Sequence, residues 1–209
     1  MKPKIIDRNP SVSRTAGFLC ASLFVVGTLT GCKTFKPVED LTRYYVLSPS
    51  AVPSTRAYTN QSFAIGIAPV EIPAYLQTTH IVLRRGTNEI SYSESSDWAE
   101  HLDKGIQRIV AADIELLRPE IRTVISAWQS QDVKAEVYIS IQRFELDERG
   151  NVTLDSQWRI VAPGSSRAGH SSINKKGPSL AKDPSAAVGT LSASLLDLSK
   201  DLATALQKQ

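Results

Sequence analysis

The residues best suited to acid–base chemistry in this sequence are four carboxylates in one short stretch. They are Glu94, Asp97, Glu100 and Asp103. Two carboxylates can act as general acid and general base when a fold holds them together. Acidic residues at the start of a helix, however, more often complement the helix dipole and face solvent. We therefore interpret this cluster as the start of a helix and not as a catalytic pair.

The histidines, serines and cysteines form no recognisable catalytic or metal-binding motif. The three histidines, His80, His101 and His170, are scattered and lack an acidic partner at ligand spacing. The sequence contains neither a glycine-rich phosphate loop nor a nucleophile elbow. Both cysteines lie at or before Cys32, so the rest of the chain offers no disulfide and no cysteine-based metal site. We predict no catalytic residue, no metal site and no enzyme activity.

Cys32 is the residue with the clearest predicted chemistry. It follows Leu29-Thr30-Gly31, and small residues directly before a cysteine resemble the bacterial lipobox. Upstream, a basic segment precedes an apolar run that is too short to cross a membrane, as is typical of a secretory signal peptide. The pattern predicts a signal peptide over residues 1–31, cleavage before Cys32 and covalent lipid on its thiol, with no other cofactor. The alternative is a secreted protein whose Cys32 merely lies near the cut.

The charge balance argues against a nucleic-acid partner. The chain has 24 Lys and Arg against 21 Asp and Glu, and residues 1–31 hold four of the former and one of the latter. The remainder therefore carries 20 of each, whereas nucleic-acid binding requires a basic face. Residues 32–42 are short and polar and predict a tether, and residues 43–207 are of a length that suits one domain.

Short apolar segments bounded by Gly, Pro and Asn predict β-strands in this domain. We expect strands over residues 43–47, 63–67, 81–84, 89–92, 121–127, 133–146, 152–160 and 170–175. The apolar parity changes between Ile141 and Phe144, which predicts a β-bulge near Gln142-Arg143.

Two segments have helical periodicity. Asp97, with Glu100 three residues later, matches a capping box and predicts a helix over Trp98–Leu117. Asp183-Pro184 predicts the start of a second helix, Pro184–Leu206. Strands followed by a helix, twice over, predict an α+β fold. We expect one domain with a mixed or antiparallel sheet and two long amphipathic helices packed on one face.

Four residues are candidates for contact with a partner protein. Tyr75 and Leu76 lie in a Pro-rigidified turn and could fill a partner's pocket, as interface aromatics do. Leu196 and Leu206 lie beside the apolar stripe of the last helix. The alternative for all four is that they close the domain's own core.

Several segments together resemble the ABC-type transport auxiliary lipoprotein family, which includes paraquat-inducible protein C. They are Tyr44-Tyr45-Val46-Leu47, Ile65-Gly66-Ile67-Ala68-Pro69-Val70, Ile72-Pro73-Ala74-Tyr75-Leu76, Ile81-Val82-Leu83-Arg84 and Trp98-Ala99-Glu100. The resemblance covers roughly residues 43–206 and supplies no catalytic residues. It implies an outer-membrane lipoprotein with its domain in the periplasm.

The resemblance also implies partners and a task. The implied partner is a mammalian-cell-entry domain protein that forms a channel across the periplasm, and the implied task is lipid traffic between membranes in support of membrane integrity. A ring-like homo-oligomer is a further implied assembly. The second hypothesis is a structural or assembly lipoprotein of another envelope complex, such as lipopolysaccharide or pilus export.

Overall fold

The computed structural model describes residues 39–49 and 62–207. The chain divides into two units, residues 1–40 and residues 41–209, and the second is an α+β domain. Its strands are β1 Arg43–Tyr45, β2 Phe63–Ile67, β3 His80–Arg84, β4 Ile90–Trp98, β5 Ile121–Val124, β6 Ala135–Asp147, β7 Asn151–Ala162 and β8 Ser165–Lys176. Its helices are α1 Leu102–Leu117 and α2 Pro184–Leu206, and single 3-10 turns cover Ala74–Leu76 and Ser130–Asp132.

The long strand β6 is the centre of the sheet. Its first half pairs in parallel with β2, with Ile65 opposite Ala135, and its second half pairs in parallel with β3, with Leu83 opposite Leu146. Along its other side, β6 pairs with β7 over the full length, and β7 pairs with β8. Within the described residues, the eight strands form one mixed sheet in which β1 extends β4 and β5 extends β2.

Both helices pack on one face of this sheet. Alternate residues of β6 and β7 point into a core shared with the apolar stripes of α1 and α2, while the residues between them face the open side. The largest fully buried side chains come from every layer, and examples are Ile65, Ile106, Leu146 and Leu154. The α+β class and the two-helix layer predicted from the sequence are confirmed.

Several local predictions agree with the structure. β2 and α2 have the predicted bounds, and Asp183 caps α2 by accepting a hydrogen bond from the Ala186 amide at 3.0 Å. The pairing of β6 with β7 shifts register between Ile141 and Arg143, where the parity change predicts a bulge. β8 is longer than the predicted edge strand because it pairs with β7 residue for residue.

The predicted start of the first helix is wrong. β4 continues to Trp98, so Asp97 and Trp98 lie in a strand, and the helix begins at Leu102 without a side-chain cap. The reason is tertiary: the end of β4 pairs in parallel with β1, with Tyr44 opposite Asp97 and Tyr45 opposite Trp98. Trp98 is therefore buried as a residue of the sheet and not as a residue of the helix.

Candidate functional site

The most connected polar cluster surrounds Glu145, just after the bulge in β6. Glu145 is 2% exposed although it carries a charge. Arg84, at the end of β3, donates from Nε to Oε1 at 2.5 Å and from Nη2 to Oε2 at 3.1 Å. This bidentate geometry is the strongest arrangement of an arginine with a carboxylate.

Two further donors complete the shell of Glu145. Arg143 donates from Nε to Oε1 at 3.1 Å, and the Tyr75 hydroxyl donates to Oε2 at 3.0 Å. Each carboxylate oxygen therefore accepts two hydrogen bonds. Arg143 also lies 3.6 Å from Asp155, so the two arginines face two carboxylates and the cluster is neutral. We name Tyr75, Arg84, Arg143 and Glu145 the bulge network.

The ionisation of the bulge network follows from its contacts. Burial acts to raise the pKa of Glu145, but hydrogen bonds from Arg84, Tyr75 and Arg143 together lower it below the usual value. Burial, and next the negative charge of Glu145, raise the pKa of Tyr75 to about 12. The hydrogen bond to Glu145 is the main reason why the pKa of Arg84 is raised. The carboxylate is thus charged, the phenol is neutral and both oxygens of Glu145 are saturated, which suits anchoring better than proton transfer.

The bulge network fixes the turn that the sequence marks as a docking candidate. Tyr75 is half-buried, its ring packs beside the core and its hydroxyl is held by Glu145. Leu76 is only 1% exposed and belongs to the core. The proposal of Leu76 as a partner-facing residue is therefore corrected: its side chain is already enclosed by its own domain.

The two candidate residues on the flank of α2 also differ in burial. Leu196 is half-buried and keeps exposed surface, whereas Leu206 is 8% exposed and packs in the core. The prediction that Leu206 contacts a partner is thus also corrected: Leu206 is a core residue, because the last turn of α2 lies against the shared apolar layer. Cys32, the predicted lipidation site, lies outside the described residues.

The carboxylates of the acidic stretch around Asp97 and Glu100 do not converge on one site. The Asp97 carboxylate accepts a hydrogen bond from His80 Nδ1 at 2.7 Å. Glu100 is paired with Arg108, and Asp103 lies 3.7 Å from Lys104. Among the residues that the structure describes, no group of His, Cys, Asp and Glu has the geometry to hold a metal ion.

A cavity of about 800 Å³ lies between the 3-10 turn Ala74–Leu76 and the start of α1. Its walls come from Val70–Ile72, Leu76–Thr79 and Trp98–Asp103. The lining mixes apolar residues, among them Leu76 and Trp98, with the polar residues Glu71, Gln77, Thr78, Thr79, Glu100, His101 and Asp103. Of its acidic residues, Glu100 is already paired with Arg108 and Asp103 lies beside Lys104.

The segment at the start of the domain exposes apolar side chains. Leu41, Tyr44 and Val46 are 70%, 64% and 48% exposed. Tyr44 and Val46 also line a groove of about 630 Å³ between β1 and the first turns of α2. Sequence reasoning assigned Tyr44 and Val46 to a strand and did not identify their exposure.

Sequence reasoning also missed the bulge network. A charged residue between Phe144 and Leu146, directly after a change of apolar parity, is the available signal in the sequence. Its partner Arg84 lies 61 positions away, and no local pattern connects the two.

Comparison with known proteins places the chain in a family. The sequence matches the model of the ABC-type transport auxiliary lipoprotein component over residues 45–203. No functionally curated protein matches it significantly. Among the residues that the structure describes, no helix combines the length and hydrophobicity needed to cross a membrane.

The fold is also found among solved structures. A protein without an assigned function superposes with a TM-score of 0.67 at 16% identity, covering 79% of this chain and 98% of its own. A Xanthomonas campestris protein of the DUF330 family superposes with a TM-score of 0.58 at 15% identity, covering 78% of this chain and 93% of its own. At such identities the likeness shows the fold alone. The family match itself covers most of the domain, and the chain therefore belongs to the ABC-type transport auxiliary lipoprotein component family.

Proposed function

We propose that this protein is a non-enzymatic lipoprotein subunit of an intermembrane lipid transport system of the mammalian-cell-entry type. In this proposal, lipid on Cys32 anchors the protein in the outer membrane, and the domain docks the periplasmic channel there. The family match over residues 45–203 is the observation that carries the proposal. The lipobox-like sequence before Cys32 supports it independently.

The position of Cys32 supports an anchoring role. It precedes the first strand by only 11 residues, and a fully extended chain of that length spans roughly 40 Å. A domain on such a tether stays close to the membrane that holds the lipid. Lys33 follows Cys32, whereas retention in the inner membrane of enteric bacteria uses an aspartate at that position.

The bulge network supports docking in preference to catalysis. The Glu145 carboxylate accepts four hydrogen bonds, one of them from Tyr75. These bonds hold the Tyr75 turn and leave neither oxygen available for proton transfer. Tyr75 and Leu196 keep partial exposure, and we propose them as contacts with a partner protein. The rigid hold on Tyr75 would reduce the entropy lost when the turn binds.

The decisive experiment combines acyl labelling with capture of partners in the native host. Wild-type protein should incorporate labelled fatty acid, fractionate with the outer membrane and copurify with a mammalian-cell-entry protein. Cys32→Ser should remain an unacylated precursor that is not cleaved. Cys20→Ser is the matched control and should behave as wild type, because Cys20 lies within the predicted signal peptide.

Two outcomes would contradict the proposal. Normal acylation of Cys32→Ser would remove the anchor from this residue. Copurification of wild-type protein with components of lipopolysaccharide or pilus export, and not with a mammalian-cell-entry protein, would favour the alternative of an assembly lipoprotein.

A further inference from the structure

We propose that Leu41, Tyr44 and Val46 form a second membrane contact that inserts into the headgroup region of the bilayer. We name these three side chains the apolar edge. The inference rests on the proposed lipid anchor at Cys32 and adds an orientation to it: the domain lies with the β1 end of its sheet against the membrane.

The exposed large apolar side chains of the domain are concentrated at this end. In the described part of the chain there are six, and half of them belong to the apolar edge. The other three, Tyr92, Ile125 and Tyr138, are 46%, 45% and 37% exposed, similar to or below Val46 and well below Leu41 and Tyr44. Single exposed apolar residues are ordinary, whereas a cluster of them indicates a surface that meets an apolar partner or a membrane.

The backbone holds the apolar edge outward. Tyr45 and Leu47, which alternate with Tyr44 and Val46, pack against the core, and Leu47 is 2% exposed. The Ala99 amide donates to the Tyr45 carbonyl at 2.9 Å, and Arg108 donates to the Leu47 carbonyl at 3.0 Å. Tyr44 and Val46 therefore cannot turn inward without the loss of these contacts.

The short chain between Cys32 and the domain favours the membrane as the surface that the apolar edge contacts. Eight residues separate Cys32 from Leu41, and a chain of that length reaches at most roughly 30 Å when fully extended. The headgroup layer on each side of the hydrocarbon core is about 5 to 8 Å thick. The apolar edge is thus the part of the described domain that follows the anchor most closely, and it meets the bilayer first.

The composition of the segment fits the membrane–water interface. Tyrosine has an apolar ring with a polar tip and is enriched at that level of the membrane. Arg43 is exposed between the apolar side chains and can reach a lipid phosphate, while Glu39 and Asp40 precede them. The segment has one more acid than base, so apolar insertion and not charge attraction must provide the binding.

Single-thiol labelling of the full lipidated protein tests the inference. Both native cysteines lie at or before Cys32, so a thiol introduced in the domain is the only free one after acylation and cleavage. Val46→Cys and Ile125→Cys are a matched pair, since both residues are β-branched and they are 48% and 45% exposed. They lie at opposite ends of the sheet, beside β1 and β5.

Each variant is labelled with an environment-sensitive dye and reconstituted in vesicles of phosphatidylethanolamine and phosphatidylglycerol. We expect the dye at position 46 to shift its emission to shorter wavelength and to lose intensity with headgroup nitroxide lipids. The dye at position 125 should do neither. Unchanged thermal melting of both variants confirms that the fold is intact, and adding Leu41→Ser and Tyr44→Ser should lower the quenching at position 46 about tenfold.

The remaining outcomes overturn the inference in different ways. Equal quenching at both positions means that the domain does not lie with its β1 end against the membrane. Solvent-like emission at position 46 means that the apolar edge does not insert although the anchor does. A blue shift without lipid quenching, with crosslinks between copies, means that a second copy covers the edge. Failure of the wild-type protein to be acylated and to float with vesicles refutes the proposed anchoring function itself.

Discussion

At the scale of single residues, Glu145 joins three elements that are far apart in the sequence. Through its two oxygens it connects the Tyr75 turn, the end of β3 and the bulge of β6. A buried charge pair is costly to form, but it is more costly to break, because the partner left behind is buried and unpaired. The bulge network should therefore be sensitive to loss of its one carboxylate.

Glu145→Gln should lower the free energy of unfolding by about 3 kcal/mol, since Arg84 then loses its charged partner in a buried setting. The matched control is Glu148→Gln. Glu148 is 59% exposed and pairs with an exposed Arg85, so its loss should cost at most about 0.5 kcal/mol. Urea unfolding of the two variants measures both values. Similar effects of the two substitutions would show that burial does not strengthen the network.

Acidic pH should reduce the contribution of Glu145 to the free energy of unfolding. The pKa of Glu145 is lower in the folded than in the unfolded state, because the hydrogen bonds from Arg84, Tyr75 and Arg143 outweigh burial. The stabilisation is therefore complete above the ordinary glutamate pKa of about 4.3 and is lost as the pH falls through the lower folded value. The stability difference between wild type and Glu145→Gln should be constant near neutral pH and should shrink below about pH 4. A difference that stays constant into the acid range would contradict the assigned charge state.

At the scale of elements, the hairpin between β6 and β7 depends on the backbone of Gly150. Its φ of +88° lies in the left-handed region, and a Cβ there would collide with the backbone of Gly177 and Pro178. Gly164, in the next hairpin, has a similar φ of +77°, but a Cβ would meet nothing within 4 Å. The two positions thus separate the conformational cost of a side chain from its steric cost.

Gly164→Ala should destabilise the protein by about 1 kcal/mol, the usual cost of a left-handed non-glycine residue. Gly150→Ala carries that cost and a collision with rigid backbone, and should reach about 3 kcal/mol. Thermal or urea unfolding of both variants gives the comparison. If the two losses are equal, the close approach of Gly177 and Pro178 to the hairpin does not constrain it.

The sequence is informative where a local pattern decides the structure and fails where a distant partner does. The alternation through Ile141 and Phe144 and the Asp183-Pro184 cap are local signals, and the bulge and the start of α2 are as predicted. Asp97 has an equally good capping pattern, yet pairing with β1 draws it into a strand. Similarly, no local pattern around Gly66 reveals that the distant indole of Trp128 packs directly against this glycine.

The candidate docking residues show the same limit. Periodicity places Leu206 beside the apolar stripe of its helix, and a turn with Pro73 makes Leu76 look available. Only the three-dimensional packing shows that both are enclosed. The exposure of the apolar edge could not be predicted either. Alternation in a short edge strand does not show which face of the strand is left exposed to solvent.

At the scale of the whole molecule, polar contacts and a shared apolar core join the helix layer to the sheet. Arg118, which follows α1, donates to the carbonyl of Ala203 in α2 at 3.0 Å. Ser171 of β8 donates to Asp201 of α2 at 2.6 Å. Both helices and the sheet also share a single apolar core. Loss of one core contact in α2 should therefore weaken the complete domain and not the helix alone.

Leu195→Ala and Leu196→Ala test this expectation with adjacent residues. Leu195 has no exposed surface, so its truncation should cost about 3 kcal/mol and lower the single transition seen by both circular dichroism and tryptophan fluorescence. Leu196 is half-buried, and its truncation should cost at most about 1 kcal/mol while weakening capture of the partner protein. Separate transitions for the two probes would show that helix and sheet unfold independently. Full partner capture by Leu196→Ala would remove Leu196 from the docking surface.

The central position of β6 has a consequence for the order in which the chain can fold. Ile65 and Leu83 have their strand partners at Ala135 and Leu146, so β2 and β3 lack their central neighbour until much later residues are available. β6, β7 and β8, in contrast, pair through successive short hairpins. Because local pairings close faster than distant ones, we expect the C-terminal meander to form first and the N-terminal strands to add to it. During synthesis or threading from the N-terminus, β5 can pair with one side of Phe63–Ile67, but the side that meets β6 stays open and must be kept from other chains until β6 has emerged.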